Sequence, residues 1–298
     1  GALHFFRRQV LLQEVNATEK LGRIKNLCMD KTGTLTNPEP EVEGIYCPAG
    51  VSKERAESLT AAYLHGSQDS SETVQAMKKF IQQVHTEPIA EVVAFSSWRQ
   101  YGAVRLSGEG EHGMVFVGLP DKFMAYLPDD SQRDWLAGLV AEHAHRGKRL
   151  VAVCSSTGTQ LPKDLSQAKL SLVAVLVFHN SLREGIRDTV DFFQARGINI
   201  RIISGDNPET TSAIAATAGI KNANRVISGA QMKAWSESDY MEKVSSYTVF
   251  AAIEPEQKEK IVVAFKKSGF TAMVGDGAND ALAVKQADLG IAMFAGAS

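Results

Sequence analysis

From Leu170 onward the chain alternates between short apolar runs and segments of helical periodicity. "LSLVAVLVF" (Leu170 to Phe178) is continuously apolar and reads as a central strand of a parallel sheet. "REGIRDTVDFFQARG" follows, with Ile186, Val190 and Phe193 at helical spacing and Gly197 as a stop. "INIRIIS" is the next strand. "NPETTSAIAATAG" is a helix with Asn207 as cap, Pro208 at its first position and Gly219 as terminator. "TVFAAI", "PEQKEKIVVAFKKSG", "FTAMVGD", "ANDALAVKQA" and "LGIAM" continue the alternation. Such a pattern predicts an α/β doubly wound parallel sheet, whose ligands gather at the carboxyl ends of the strands.

The middle of the chain has a different rhythm. Two helices, "SKERAESLTAAYLH" and "SSETVQAMKKFIQQV", precede the strands "EVVAF", "YGAVRLS" and "HGMVFVG". A longer helix, "SQRDWLAGLVAEHAHRG", leads to a fourth strand, "RLVAVCSS". Strands joined through short loops indicate an antiparallel sheet with helices on it. The predicted organisation is therefore an α+β module, residues 47–168, inserted into an α/β domain made of residues 1–46 and 169–298. Prolines at Pro38, Pro40, Pro48 and Pro162 mark the crossings.

The bulk numbers exclude several classes. A formal charge of −2 gives no electrostatic pull toward nucleic acid. Cys28, Cys47 and Cys154 lie far apart and form no CxxC pair, which argues against a zinc site or a disulfide framework. The longest apolar run falls well short of the ~20 residues a membrane helix needs.

The strands of the α/β part end in polar residues and glycine. The first apolar run, Leu27-Cys28-Met29, stops at Asp30 in "DKTGTLT". A later strand ends "SGDN" (Ser204, Gly205, Asp206, Asn207), and another ends "GDGAND" with Asp276, Asn279 and Asp280. "PEQK" brings Lys258 to the start of a helix. Taken alone, "SGDNP" is a strand-to-helix turn and Lys258 a solvated helix lysine. Together at one sheet edge they have a chemical logic. Asp30 and Asp276 suit Mg²⁺, a hard cation that keeps waters and phosphate oxygens in its shell. Thr34, Ser204 and the glycine-bearing turns suit phosphoryl oxygens. Lys258 suits charge neutralisation, and Asp30 suits a carboxylate nucleophile.

These residues match a family. "DKTGTLT", "SGD", "PEQK" and "GDGAND" resemble the signature set of P-type ATPases, membrane cation pumps with a haloacid-dehalogenase-like phosphorylation domain. The resemblance spans essentially the whole chain, with features of bacterial pumps near the calcium-transporting branch. It implies that Asp30 is phosphorylated from ATP, and that Asp30, the Thr32 carbonyl and Asp276 hold Mg²⁺. It implies that Thr34, Ser204, Gly205, Lys258 and Asn279 surround the phosphoryl group, supported by Lys31, Asp206, Asp280 and Arg183. The inserted module then resembles a nucleotide-binding domain. In "FSSWRQYGAV", Phe95 takes the place of the aromatic that stacks on adenine, with Arg99 and Arg149 directed to the phosphates. From its own pattern, Phe95 would be a core aromatic on a strand.

The resemblance also implies partners: ATP, and the membrane and actuator domains of a longer, membrane-bound pump with this monomeric part on the cytoplasmic face. The opening "LHFFRRQVLLQEV" resembles the cytosolic extension of a membrane helix, and "GIAMFAGAS" precedes the next expected span. No "TGE" motif of an actuator domain is present. Many phosphatases of this fold carry an acid/base aspartate two positions after the nucleophile; here that position is Thr32. A soluble phosphatase of the same fold and a catalytically weak nucleotide sensor remain the alternatives. Two departures bear on affinity: Val117 stands where the family has a lysine before Gly, and Asn180 where an aspartate is usual. ATP is therefore expected to bind this chain only in the high micromolar range or more weakly. Calorimetric titration checks this, and submicromolar binding would refute it.

Overall fold

A computed structural model describes residues 16–86, 88–107, 113–144, 146, 148–158, 160–275 and 280–293. The chain forms two compact units, one from Gly1–Pro38 with Ser181–Ser298 and the other from Glu39–Asn180. Among the described residues no helix is long and apolar enough to cross a membrane.

The first unit is built on a parallel sheet of β1 (Asn26–Asp30), β8 (Asn199–Ile203), β9 (Val226–Ser228), β10 (Val249–Ala251), β11 (Thr271–Gly275) and β12 (Leu289–Ala292). Their spatial order is β12-β11-β1-β8-β10-β9. β1 pairs in parallel with both β11 and β8, Asp30 lying opposite Ile203. The order reverses at β1, so its carboxyl end is the switch point where open parallel sheets bind ligands.

The second unit's sheet is antiparallel and contains β2 (Glu41–Tyr46), β3 (Ile89–Val93), β4 (Tyr101–Leu106), β5 (Met114–Gly118), β6 (Arg149–Ser156) and β7 (Ser171–His179). Their order is β2-β7-β6-β5-β4-β3. Helices α1 (Lys53–Gly66) and α2 (Glu72–Phe80) cover one face, and α3 (Pro120–Met124) and α4 (Asp130–Ala144) the other. Ser52 and Ser71 cap α1 and α2, accepting from the amides of Arg55 and Val74.

In the first unit, α5 (Ile186–Ala195) and α6 (Pro208–Thr217) lie on one face of the sheet, and α7 (Pro255–Ser268) on the other. β1 shows how its sequence fits between them. Leu27 and Met29 pack with Val190 and Ala215, while Cys28 packs with Ile261 and Phe265. Alternation along a strand then puts Asp30 on the Cys28 side, the side of α7.

The run at Leu170 corrects the sequence-based reading. It forms β7, an inner strand of the antiparallel sheet between β2 and β6, not a strand of the parallel sheet. Leu172, Val175 and Val177 face one helical layer, and Val173, Ala174, Leu176 and Phe178 the other. A strand covered on both faces is apolar throughout in either kind of sheet, so its composition does not reveal its partners. The second unit accordingly runs from Glu39 to Asn180, wider than the expected 47–168.

Truncating fully buried Leu176 to alanine is expected to destabilise the second unit by about 2–5 kcal/mol. Hydrogen exchange locates the effect: protection falls in β2 and β6 and holds in β1 and β8. Loss in β1 and β8 would return β7 to the parallel sheet.

Candidate active site

Asp30 closes β1 and is 7% exposed. Its Oδ1 accepts from Lys258 Nζ at 2.9 Å, and the same ammonium donates to Asp280 Oδ1 at 2.6 Å. Lys258 is 6% exposed and Asp280 1%. The lysine reaches this place because α7 begins with Pro255 and buries the stripe Lys258, Ile261, Val262 and Phe265. Those positions are spaced by three and four residues, so Lys258 occupies a core register of the helix. Gln257 fixes the start of α7 by donating to Gly229 O at 2.9 Å and accepting from the Glu254 amide.

Burial works to lower the Lys258 pKa, but the charge of Asp30 and hydrogen bonds to Asp280 and Asp30 outweigh it, and the net shift is upward. A raised lysine pKa means the ammonium's contribution to stability holds through neutral pH and fades only as pH climbs past the ordinary lysine range.

The loop after Asp30 is shaped by Gly33, whose φ of 74° lies in the left-handed region. Arg183 holds this loop, donating from Nη2 to Gly33 O at 2.7 Å and from its amide to Leu35 O at 2.9 Å. Thr32 is extended, with φ −78° and ψ 131°. Thr34 is buried, and its Oγ1 has no hydrogen-bond partner. A buried hydroxyl left in this state suits an incoming oxygen ligand. Lys31, also buried, pairs with Asp206 at 2.5 Å. Ser204 follows β8, the neighbour of β1, and its Oγ accepts from the Asp206 amide at 3.1 Å. Gly205 is open: a Cβ there would meet nothing nearer than Ile253 O at 3.9 Å. Gly275 is the opposite case, since a Cβ would lie 2.4 Å from Asp280 Oδ2. Only glycine lets Asp280 pack there.

The structure thus joins Asp30, Lys258 and Asp280 directly, and sets Lys31, Thr32, Thr34, Asp206 and Arg183 on or against the adjoining turns. Asp276 and Asn279 lie outside the described residues. Reading Lys258 alone as a solvated lysine is corrected by its burial; its core register in "KEKIVVAF" was the available signal. The donor set also fits Mg²⁺. Asp30, Asp206 and Asp280 set three carboxylates against Lys31, Lys258 and Arg183. Among the described residues that leaves no surplus positive charge for a phosphoryl group bringing about two negative charges. A divalent cation with hard oxygen ligands would supply it.

In the second unit, Phe95 lies beyond the end of β3 and is 40% exposed, contrary to a core aromatic on a strand. Arg99 shares its turn, donating to Ala94 O at 3.1 Å with its guanidinium 5.0 Å from the Trp98 ring centre. Gly102 lies beneath the turn, where a Cβ would come within 3.0 Å of the Phe95 amide nitrogen. A glycine inside the strand "YGAV" was the sequence sign of this close approach. Arg149 opens β6 and donates to Thr73 Oγ1 at 3.0 Å. Val117 is buried in the core with Val104 and Val153, so the position matched to the family's lysine is apolar packing here.

Comparison with known proteins agrees with the fold. A model of haloacid dehalogenase-like hydrolases matches residues 24–288. The chain belongs to the haloacid dehalogenase-like hydrolases. Within that family it is 32% identical, over 97% of its length, to a probable cation-transporting ATPase, exp7, of Streptococcus pneumoniae. It is 31% identical, over 100% of its length, to the calcium-transporting ATPase CtpE of Mycolicibacterium smegmatis. It spans 36% of the length of each. A crystal structure of a zinc-transporting PIB-type ATPase matches 98% of the chain, with a TM-score of 0.68 and 26% identity, and the match covers 39% of that protein.

Replacing Lys258 by methionine leaves two buried carboxylates without their shared cation. The expected loss of stability is about 3–5 kcal/mol near neutral pH. Part of it returns as pH falls toward acid, because protonation removes the uncompensated charge. Urea denaturation of the hydrolase and its variant across pH measures both.

Proposed function

We propose that this chain is the catalytic portion of a P-type cation-transporting ATPase, in which ATP with Mg²⁺ phosphorylates Asp30. The observation that carries the reading is Asp30 at the switch point of the parallel sheet, bonded at 2.9 Å to the buried Lys258. The carboxylate attacks the γ-phosphorus in line, the bond to the β–γ bridging oxygen breaks, and ADP departs with that electron pair. The product is an acyl phosphate on Asp30. Lys258 offsets charge gathering on the phosphoryl oxygens, and Asp280 holds the ammonium in place. Thr34, Ser204, Gly205 and Asn279 surround the phosphoryl group. Asp30, the Thr32 carbonyl and Asp276 would hold Mg²⁺, which when bound neutralises phosphate charge.

In the second unit, adenine stacks on Phe95, while Arg99 and Arg149 serve the nucleotide's phosphates. The exposure of Phe95 supports that role. Thr32 carries no proton-transferring group at the position a phosphatase uses, so the acyl phosphate outlasts its formation. Transmembrane and actuator domains of the same longer protein are the proposed partners, with this portion on the cytoplasmic face. The pump is assigned to the calcium-transporting branch; related proteins carry names for calcium and for zinc.

Brief exposure to γ-labelled ATP with Mg²⁺, followed by acid quench, tests the reading. The expected product is a hydroxylamine-labile label absent from Asp30→Asn. Rapid turnover of small phosphate esters by the same chain would favour a soluble phosphatase. Failure of both label and beryllium fluoride to bind at Asp30 would favour a catalytically inactive nucleotide sensor.

A further inference from the structure

Lys258 reaches its carboxylates on a flexible four-carbon stem, so the position of its ammonium depends on how the first turn of α7 is held. The loop entering the helix is pinned to the turn after β8. The Ile253 amide donates to Ser204 O at 3.0 Å, and the Ala252 amide to Asp206 O at 2.6 Å. Ala252 has φ of 50°, a conformation an alanine adopts only when its surroundings impose it. These bonds fix residues 252 and 253. They stop short of the helix, whose axis could still pivot about that loop.

Gln257 supplies the second fixed point. It is 9% exposed, and both ends of its amide are used. Nε2 donates to Gly229 O at 2.9 Å, and Oε1 accepts from the Glu254 amide at 3.1 Å. Gly229 follows β9, at the edge of the sheet, so this bond ties α7 away from β1, while the neighbouring Lys258 reaches toward it. Gly229 admits the contact because it has no side chain. A Cβ there would lie 2.2 Å from Ala252 O and 2.7 Å from Gln257 Oε1. Lys233 Nζ also lies 3.9 Å from Glu254, but that pair is mostly exposed and such pairs contribute little.

The Gln257 amide has two separable tasks. Its oxygen closes a capping box with Glu254, a task that glutamate also performs at this helix position. Its nitrogen donates to Gly229 O, which a carboxylate cannot do.

We propose that Gln257 is a positioning residue for Lys258, holding the first turn of α7 to Gly229 so that the ammonium lies between Asp30 and Asp280. Its consequence for phosphoryl transfer rests on the function proposed above; the placement itself does not.

Two variants of the intact chain test the proposal. Gln257→Glu keeps the cap and breaks the bond to Gly229, and Gln257→Met removes both. With ¹⁵N-labelled lysine, the Lys258 ammonium gives an NMR signal while its protons are held out of exchange with water; Lys258→Arg assigns it. The signal is expected to broaden beyond detection in both variants. Labelling of Asp30 from ATP in a single turnover should slow by about tenfold to a hundredfold, since misplacement by about 1 Å is enough. ATP affinity should hold, because the nucleotide contacts proposed at Phe95, Arg99 and Arg149 belong to the other unit. A signal absent from the unaltered chain, or unchanged in Gln257→Glu, overturns the proposal and leaves Gln257 a helix cap. Gln257→Glu retains that cap, so it decides the matter even where Gln257→Met fails to fold. A lost signal with an unchanged labelling rate overturns the step from placement to catalysis. If the unaltered chain takes no label, the proposed function fails, and the ammonium signal still decides the positioning.

Discussion

The ammonium of Lys258 between Asp30 and Asp280 is the interaction on which the site depends. Two carboxylates brought this close within a sheet edge repel each other and lose hydration. One buried cation, 2.9 Å from the first and 2.6 Å from the second, makes the arrangement tolerable. Asp30 lies 228 positions before Lys258, and Lys258 lies 22 before Asp280. The parallel sheet makes their meeting possible: β1 supplies Asp30, the stretch beyond β11 supplies Asp280, and the first turn of α7 supplies Lys258. An antiparallel sheet would send alternate strand ends away from the site.

Much of this was legible from the chain because the local signals and the chemistry agree. "DKTGTLT" ends a buried strand with a carboxylate, and the structure leaves Asp30 at that strand's end. Asn207 and Pro208 marked the start of α6, and Asn207 Oδ1 does accept from the Thr210 amide at 2.9 Å. What could not be read locally was pairing. β7 is apolar on both faces because helices cover both sides of its sheet, and an inner strand of a parallel sheet has the same composition. Its partners are β2 and β6, the latter sharing a long antiparallel register with it.

Lys258 and Phe95 show the two ways in which single residues mislead. A lysine on a helix is usually solvated, so the residue type pointed outward while its spacing with Ile261, Val262 and Phe265 pointed inward. Spacing prevailed because the carboxylates at the end of the stripe provide what a buried ammonium needs. A phenylalanine near a strand is usually core, yet the strand ends at Val93 and leaves Phe95 on a turn. There the glycine at Gly102 admits the turn's backbone, and the ring remains partly in solvent.

Charge balance then defines the carboxyl end of the first unit's sheet. At the carboxyl ends of the strands, acidic and basic groups pair closely: Asp30 and Asp280 with Lys258, and Asp206 with Lys31. On the proposed function, a site balanced this way would take a phosphoryl group together with a divalent cation. At the amino ends, Asp288 accepts from the Thr271 amide at 2.9 Å, so carboxylates are not confined to one edge. What strands that all run one way do provide is convergence: every strand finish lies at one end, so Asp30, Ser204 and the stretch leading to Asp280 follow neighbouring strands there.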